Sequence, residues 1–161
     1  MIQVQLPAAA TPEFVVDTVL VDQVTHSPEE TVTLGRELAP KFQPPCLVLL
    51  EGELGSGKTT LVKGIVSGLG AAREEEVTSP SFTLVHEYGA ARKVYHADLY
   101  RIEGVGDLAT LGLDDLLDGD CTVLVEWGKK LGDNLPTPCV RIRMEHLGSE
   151  ERRVVVERVE A

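Results

Sequence analysis

One short stretch of the sequence has the residue types and the spacing needed to bind a phosphate chain. The run Gly52-Glu53-Leu54-Gly55-Ser56-Gly57-Lys58-Thr59 fits the pattern G-x-x-x-x-G-K-[ST] at every fixed position. Its glycines allow close backbone approaches, and N–H groups at a helix start form a concave anion site. Lys58 would place a positive charge on the outer phosphates, and the Thr59 hydroxyl would be a ligand for Mg²⁺. The stretch predicts a nucleoside triphosphate site. Its predicted contacts are Glu53, Leu54, Gly55, Ser56, Gly57, Lys58, Thr59 and Thr60.

Two elements must hold this loop in place. Residues 46–51 are an apolar run of strand length after the Pro44-Pro45 break, which predicts a buried strand. After the loop, residues 60–69 have the pattern of a helix, and Gly70 is placed to end it. A strand, a glycine-rich loop and a helix in this order favour a phosphate site over a chance glycine turn with a surface lysine.

A second helix is predicted before this strand. Ser27 and Glu30 form a capping box around Pro28, which is typical of a helix start. The Pro44-Pro45 pair ends the segment, because proline cannot continue a helix. The residues that this helical segment is expected to bury are Val32, Leu34, Leu38 and Phe42.

The other segments complete an α/β pattern. They are strands over 14–24, 121–126, 139–146 and 152–159, and a partly helical segment over 104–117. A β-hairpin is also predicted: the segment 77–88 becomes a strand, the chain turns at residues 89–90, and it returns over 93–100. This order predicts a P-loop NTPase-like fold, a mostly parallel sheet flanked by helices with an antiparallel β-hairpin extension. Residues 1–12 are expected to be a flexible tail or an added edge strand, and residues 13–161 a single domain.

Two carboxylates follow strand-like runs and could act on a nucleotide. Glu126 ends an apolar run, where a metal-side carboxylate is expected, because ligands bind at the carboxyl ends of strands in open α/β sheets. Asp98 ends the return strand of the hairpin and could reach the metal or the attacking water. The alternatives are a water-facing strand end for Glu126 and an ordinary strand-end or capping role for Asp98. We assign catalysis to Lys58, Asp98 and Glu126, and the metal to Thr59 and Glu126.

Nearby polar and aromatic residues allow more than one role. The hydroxyls of the stretch 78–83 could donate to a terminal phosphate from a mobile segment or form an ST turn. Trp127 could stack on a base or fill the core. His86 and His96 share one side of the hairpin by parity, and we expect them to be structural or interface residues rather than ligands.

Composition and charge indicate which classes of protein this sequence can belong to. The chain has 161 residues, 43% hydrophobic and 25% charged, which suits a soluble globular protein. A formal net charge of -11 argues against direct gripping of DNA or RNA, so a nucleic-acid role would pass through a partner. The sequence predicts no signal peptide and no membrane span. Three widely spaced cysteines suit buried free thiols and a cytoplasmic location.

These motifs together resemble one family. They are the phosphate loop, the stretches 77–84 (VTSPSFTL), 96–101 (HADLYR) and 125–127 (VEW), and the Leu-Gly-Asp and Leu-Pro that follow. From about Val24 onward the chain resembles TsaE (also called YjeE), the small bacterial ATPase of tRNA threonylcarbamoyladenosine biosynthesis. One departure is Ser81, because the family commonly has threonine there; the hydroxyl is kept and the β-branch is lost.

The resemblance implies a function, cofactors and partners. It implies a Mg²⁺-dependent ATPase that binds ATP and serves the TsaD and TsaB proteins, while chemistry on the tRNA belongs to those partners. By the same resemblance Lys58 binds phosphate, and Thr59 and Glu126 hold Mg²⁺. Asp98 is needed for hydrolysis, and Trp127 lies near the nucleotide. The acidic charge is consistent with docking on a complex without holding the tRNA.

Two other functions are alternatives. A small-molecule kinase would need an acceptor pocket and an arginine-rich lid, whereas residues 104–137 are acidic and carry only Lys129 and Lys130. A nucleotide-gated docking module with negligible turnover would use the same residues except Asp98. A GTPase is disfavoured because the sequence has no Asn-Lys-x-Asp guanine-binding tetrapeptide.

Overall fold

The structure, a computed structural model, describes residues 15–80, 85–100, 112, 115–116, 118–127 and 138–160. Its strands are β1 (Val15–Thr25), β2 (Cys46–Glu51), β3 (Val85–Tyr88), β4 (Lys93–Asp98), β5 (Cys121–Glu126), β6 (Cys139–Gly148) and β7 (Glu151–Glu160). Its helices are α1 (Pro28–Leu38) and α2 (Lys58–Gly68), with short 3₁₀ helices at Ala39–Phe42 and Glu74–Glu76. The strands form one sheet in the order β1-β7-β6-β2-β5-β4-β3.

The sheet is parallel in its centre and antiparallel on both sides. β2 pairs in parallel with β5 and β6, and β5 pairs in parallel with β4. The pairs β1–β7, β6–β7 and β3–β4 are antiparallel. The prediction of a mostly parallel sheet therefore holds only for the central strands. The antiparallel part extends beyond the β3–β4 hairpin, because β6 and β7 are joined by a tight turn that leaves no room for a crossover.

Helix α1 starts where its capping residues predict. The Ser27 hydroxyl accepts a hydrogen bond from the Glu30 N–H at 3.1 Å, which satisfies a donor of the first helical turn. Leu34, Leu38 and Phe42 are buried as predicted. Val32 is only half-buried, because the buried face runs through Thr31, whose hydroxyl lies 2.7 Å from the Thr25 hydroxyl.

Helices α1 and α2 approach each other through glycines. An ideal Cβ on Gly64 of α2 would lie 2.1 Å from the carbonyl oxygen of Val32 in α1. An ideal Cβ on Gly35 of α1 would lie 2.5 Å from the carbonyl oxygen of Leu61 in α2. Both distances are far below van der Waals contact, so only glycine permits this spacing. The contact fixes the position of α2, which begins with Lys58.

Each face of the sheet has its own apolar cluster, because successive side chains of a strand point to opposite faces. Val48 and Leu50 of β2 belong to the cluster that also contains the buried residues of α1 and α2. Leu47 and Leu49 belong to the cluster on the other face, with Val123 of β5 among others. Both described helices thus cover the same face of the sheet. Within the described residues, the prediction of helices flanking the sheet therefore holds for that face.

Some predictions fall on residues that the structure does not describe. They are the tail over 1–12, most of the helical segment over 104–117, the hydroxyls of positions 81 and 83, and the segment 128–137. Within the described ranges, no helix has the length and apolar character needed to cross a membrane.

Candidate functional site

The phosphate loop, residues 52–57, connects the end of β2 to the start of α2. Gly55 and Gly57 have φ angles of 79° and 98°, which side-chain-bearing residues rarely adopt. An ideal Cβ on Gly52 would lie 2.7 Å from the Met144 carbonyl oxygen of β6, so that position needs glycine for a close approach. Helix α2 begins at Lys58 rather than at residue 60. Lys58 and Thr59 therefore lie in its first turn, where backbone N–H groups have no helical acceptor.

A cavity of about 460 Å³ opens beside this loop. It brings together most of the residues that the sequence assigns to the site. Glu53 and Ser56 are exceptions among the predicted nucleotide contacts: they do not line the cavity, and Ser56 is 1% exposed. The lining residues are Leu54, Gly55, Gly57, Lys58, Thr59, Thr60, Ser79, Pro80, Asp98, Tyr100, Glu126, Trp127 and Arg152.

The Lys58 ammonium group is held by backbone carbonyls of its own loop. Its Nζ donates to the carbonyl oxygens of Gly52 and Glu53 at 2.7 and 3.0 Å. It also lies 4.3 Å from the centre of the Trp127 ring, within the range of a cation–π contact. Burial lowers the pKa of Lys58, and the negative charges of nearby carboxylates, Glu126 first among them, partly offset this effect. The lysine is thus a buried amine at the mouth of a glycine-rich loop.

Glu126 is held by two donors on the cavity wall. The Thr59 hydroxyl lies 3.1 and 3.3 Å from its two carboxylate oxygens. The Nε2 atom of His96 lies 2.5 Å from Glu126 Oε2. Glu126 is 3% exposed and His96 is fully buried. Glu126 therefore faces the start of α2 and not bulk water, which answers the alternative of a water-facing strand end.

Asp98 lies next to Glu126 in the sheet, because the parallel register of β4 and β5 pairs these two residues. Its Oδ1 accepts a hydrogen bond from the Tyr100 N–H at 2.9 Å, and its Oδ2 accepts one from the Ser79 hydroxyl at 3.2 Å. Ser79 belongs to the hydroxyl-rich stretch 78–83. The contact links that stretch to the cavity.

Trp127 lies in the cavity wall and also packs against the apolar cluster that contains Leu47 and Leu49. Its backbone has a positive φ of 63°, and its backbone N–H donates to the Leu50 carbonyl oxygen at 3.0 Å. Its ring lies 5.0 Å from the Tyr100 ring, centre to centre, at an interplanar angle of 46°. This turn directs the aromatic side chain toward Lys58. The cavity thus has an aromatic wall formed by two rings.

Three residues that the sequence analysis did not assign to the site lie in or against it: His96, Tyr100 and Arg152. His96 was expected to be structural; its role in holding Glu126 depends on the β4–β5 pairing, which parity within the hairpin cannot supply. Tyr100 follows Asp98 by only two residues. Its nearness to a predicted site residue could have marked it as a candidate for the same site. Arg152 comes from the β6–β7 hairpin, and no local pattern marks it.

The donor set at Thr59 and Glu126 fits Mg²⁺. This ion prefers oxygen ligands, and proteins usually bind it through one or two carboxylates together with water and substrate phosphates. Among the described residues, no group of three or more His, Cys, Asp or Glu side chains is arranged to hold a metal by itself. A magnesium ion here would therefore share its coordination with a phosphorylated ligand.

The fold and the cavity define a mixed α/β protein with a glycine-rich loop at a helix N-terminus, an arrangement suited to anionic ligands. The family model described as "Threonylcarbamoyl adenosine biosynthesis protein TsaE" matches residues 25–154. The chain belongs to the TsaE family.

Similar proteins agree with this membership. The "tRNA threonylcarbamoyladenosine biosynthesis protein TsaE" of Bacillus subtilis (strain 168) is 38% identical over 131 residues, which cover 81% of this chain and 80% of the relative. The protein of the same name from Treponema pallidum (strain Nichols) is 33% identical over 133 residues, covering 83% and 97%. The crystal structure of YdiB from Bacillus subtilis superposes with a TM-score of 0.70 at 33% identity, covering 88% of each chain. The two relatives' names assign them to threonylcarbamoyladenosine biosynthesis in tRNA.

Proposed function

We propose that this protein is the Mg²⁺-dependent ATP-binding and ATP-hydrolysing component of the bacterial machinery that makes threonylcarbamoyladenosine in tRNA. It has a P-loop NTPase-like fold and acts in the cytoplasm on the complex of TsaD and TsaB rather than on tRNA directly. Family membership and the names of the relatives support the pathway. The chemistry of the cavity supports the reaction.

The proposal of ATP hydrolysis rests on one observation. The same cavity is lined by Lys58, Thr59, Asp98 and Glu126. Lys58 and Thr59 come from the start of α2, Asp98 from the end of β4 and Glu126 from the end of β5. A lysine, a hydroxyl and two carboxylates at the ends of neighbouring strands are the groups that phosphoryl transfer to water requires. A chance glycine turn gives no reason for residues from three elements to converge on it.

Each residue has a role in the proposed hydrolysis of ATP. The loop N–H groups and Lys58 bind the phosphates. Thr59 and Glu126 would hold Mg²⁺, which neutralises charge on the phosphate oxygens when bound. Asp98 accepts a hydrogen bond from the attacking water and orients it. The water oxygen forms a bond to the γ-phosphorus, the bond from that phosphorus to the bridging oxygen breaks, the electron pair stays on ADP, and a proton is released.

The charge of the chain supports an indirect role on tRNA. The formal net charge is -11, whereas proteins that grip nucleic acids neutralise phosphates with Lys and Arg. An acidic ATPase that docks on a tRNA-modifying complex has no need of a basic face. ATP binding and hydrolysis then serve the partner complex by resetting it between turnovers.

The test is ATP hydrolysis by the purified protein, alone and with TsaB–TsaD from the same organism. We expect the rate to rise when the partners are added, and ATP binding to change the fluorescence of Trp127, the only tryptophan of the chain. In Lys58→Ala both signals should be lost, because the phosphates lose their buried cation. An unchanged ATP affinity in Lys58→Ala would contradict the assignment of the phosphate loop. Tight ATP binding with no rise of the hydrolysis rate on addition of TsaB–TsaD would count against the proposed partners.

A further inference from the structure

Arg152 brings a second positive charge to the candidate site from a distant part of the chain. It lies near the start of β7 and lines the same cavity as Lys58. Its Nη2 donates to the Gly55 carbonyl oxygen at 3.4 Å. An ideal Cβ on Gly57 would lie 3.7 Å from Arg152 Nε. The arginine side chain therefore lies along the loop, beside Gly55 and Gly57.

The hydrogen bonds of Arg152 do not neutralise its charge. Its Nη1 donates to the carbonyl oxygens of Ser149 and Glu151 at 3.2 and 3.0 Å. Together with Gly55 these are neutral backbone acceptors, and in the described part of the chain no carboxylate forms an ion pair with Arg152. The other arginines of the β6–β7 hairpin differ from it. The pairs they form are Arg141–Glu51, Arg143–Glu157, Arg153–Asp22 and Arg158–Glu160.

In this cavity Lys58 and a bound Mg²⁺ would leave part of the charge of a polyphosphate unbalanced. The phosphate chain of ATP carries several negative charges, and the cavity wall adds the carboxylates of Asp98 and Glu126. A guanidinium group is always protonated and presents a rigid fork of N–H donors that matches phosphate oxygens. An arginine held by backbone carbonyls is oriented without losing its charge, so it is ready for an anion.

We propose that Arg152 binds the polyphosphate chain of the nucleotide, so that the chain carries its own cationic clamp formed by Lys58 and Arg152. This inference rests on the proposed function, since it names a further residue of the same site. Arginines that contact the transferring phosphate stabilise the charge of the transition state in phosphoryl-transfer enzymes. Arg152 would supply that charge from within the chain.

The variant Arg152→Gln tests this proposal, because glutamine keeps a polar side chain with N–H donors and removes the charge. The matched control is Arg153→Gln, the adjacent arginine, which is exposed and pairs with Asp22. We would titrate each variant with Mg²⁺–ATP and with inorganic tripolyphosphate. Arg152→Gln should bind both about 10-fold more weakly, as expected for one charge-assisted hydrogen bond, and Arg153→Gln should match the wild type.

The dependence of ATP affinity on salt concentration distinguishes a contact between Arg152 and phosphate from a purely structural role of Arg152. The difference in ATP affinity between wild type and Arg152→Gln should shrink as ionic strength rises, because added ions screen the lost charge. A difference that stays constant with salt, or equal affinities at low salt, overturns the proposal. Lys58→Ala in the same titrations separates the two hypotheses: if it loses ATP and Arg152→Gln does not, only the role of Arg152 fails; if neither variant loses ATP, the proposed function fails as well.

Discussion

The imidazole Nε2 of His96 lies 2.5 Å from Glu126 Oε2, and both side chains are buried. The same oxygen accepts a hydrogen bond from the Thr59 hydroxyl at 3.1 Å. Among the described residues, His96 Nδ1 has no hydrogen-bond partner. The carboxylate of Glu126 is therefore fixed between β4 and the start of α2, and His96 is the support on the sheet side.

Removal of this support should destabilise the protein. In His96→Ala a buried carboxylate loses a donor and a cavity is left, so we expect a loss of about 1–3 kcal/mol in the free energy of unfolding, measured by urea denaturation. His86→Ala is the matched control, because His86 pairs directly with His96 across the hairpin and, among the described residues, its side chain hydrogen-bonds to the Tyr88 hydroxyl and not to a carboxylate. Equal losses in the two variants would show that the bond to Glu126 contributes little.

Asp98→Asn should separate binding from hydrolysis. Asparagine keeps the size of the side chain but loses the negative charge that, in the proposed hydrolysis, orients the attacking water. We expect ATP affinity, followed by Trp127 fluorescence, to stay within a fewfold of wild type while most of the hydrolysis rate is lost. Equal turnover in wild type and variant would contradict the role given to Asp98 and would favour a docking module that does not depend on hydrolysis.

Gly64→Ala should force α1 and α2 apart. The new methyl group would lie 2.1 Å from the Val32 carbonyl oxygen, so the helices must shift. We expect a loss of about 1–3 kcal/mol in the free energy of unfolding, net of the better helix propensity of alanine. The control is Gly119→Ala, where the nearest atom to the new Cβ is 3.4 Å away. If Gly64→Ala is as stable as the control, the close helix contact is not required.

Ionisation of two buried thiols should lower the free energy of unfolding at alkaline pH. Burial raises the pKa of Cys46 and of Cys139 from 9.0 to about 11. Between these values the folded state binds more protons than the unfolded state. The stabilisation is therefore fully present below about pH 9 and is lost as pH rises through about 11.

The thiol prediction is checked by denaturation at several alkaline pH values. The double variant Cys46→Ala/Cys139→Ala should lose less stability between about pH 8 and pH 11 than the wild type does. The comparison of slopes removes the contribution of tyrosines and lysines, which both proteins share. Identical slopes would show that these thiols ionise equally well in the folded and unfolded states.

The parts of the site that local sequence determines were predictable. The loop from Gly52 to Thr59 needs glycines, a lysine and a hydroxyl at fixed spacing, and a buried strand and a helix start follow from adjacent residues. Ser27 likewise marks the start of α1 through contacts three residues away. These features depend on interactions within one or two turns of chain, which a pattern records.

The parts that depend on pairing between distant segments were not predictable from local patterns. His96 meets Glu126 only because β4 lies beside β5 in parallel register. Arg152 reaches Gly55 only because the β6–β7 hairpin stands next to β2. The pairing of β1 with β7, which makes the sheet more antiparallel than expected, joins residues from opposite ends of the described chain. Such pairings are set by tertiary packing, so the sequence patterns of each strand did not reveal them.

The central place of β2 has a consequence for how the protein is made on the ribosome. β2 is made before both of its neighbours in the sheet, β5 and β6, which begin only at Cys121 and Cys139. Until then the newly made chain exposes an apolar strand with two open hydrogen-bonding edges, a state prone to aggregation. Glu126 is the last residue of β5, and Arg152 is made later still, in β7. The proposed nucleotide site should therefore be complete only after β7 has been made, and nucleotide binding would serve as a marker of the folded sheet.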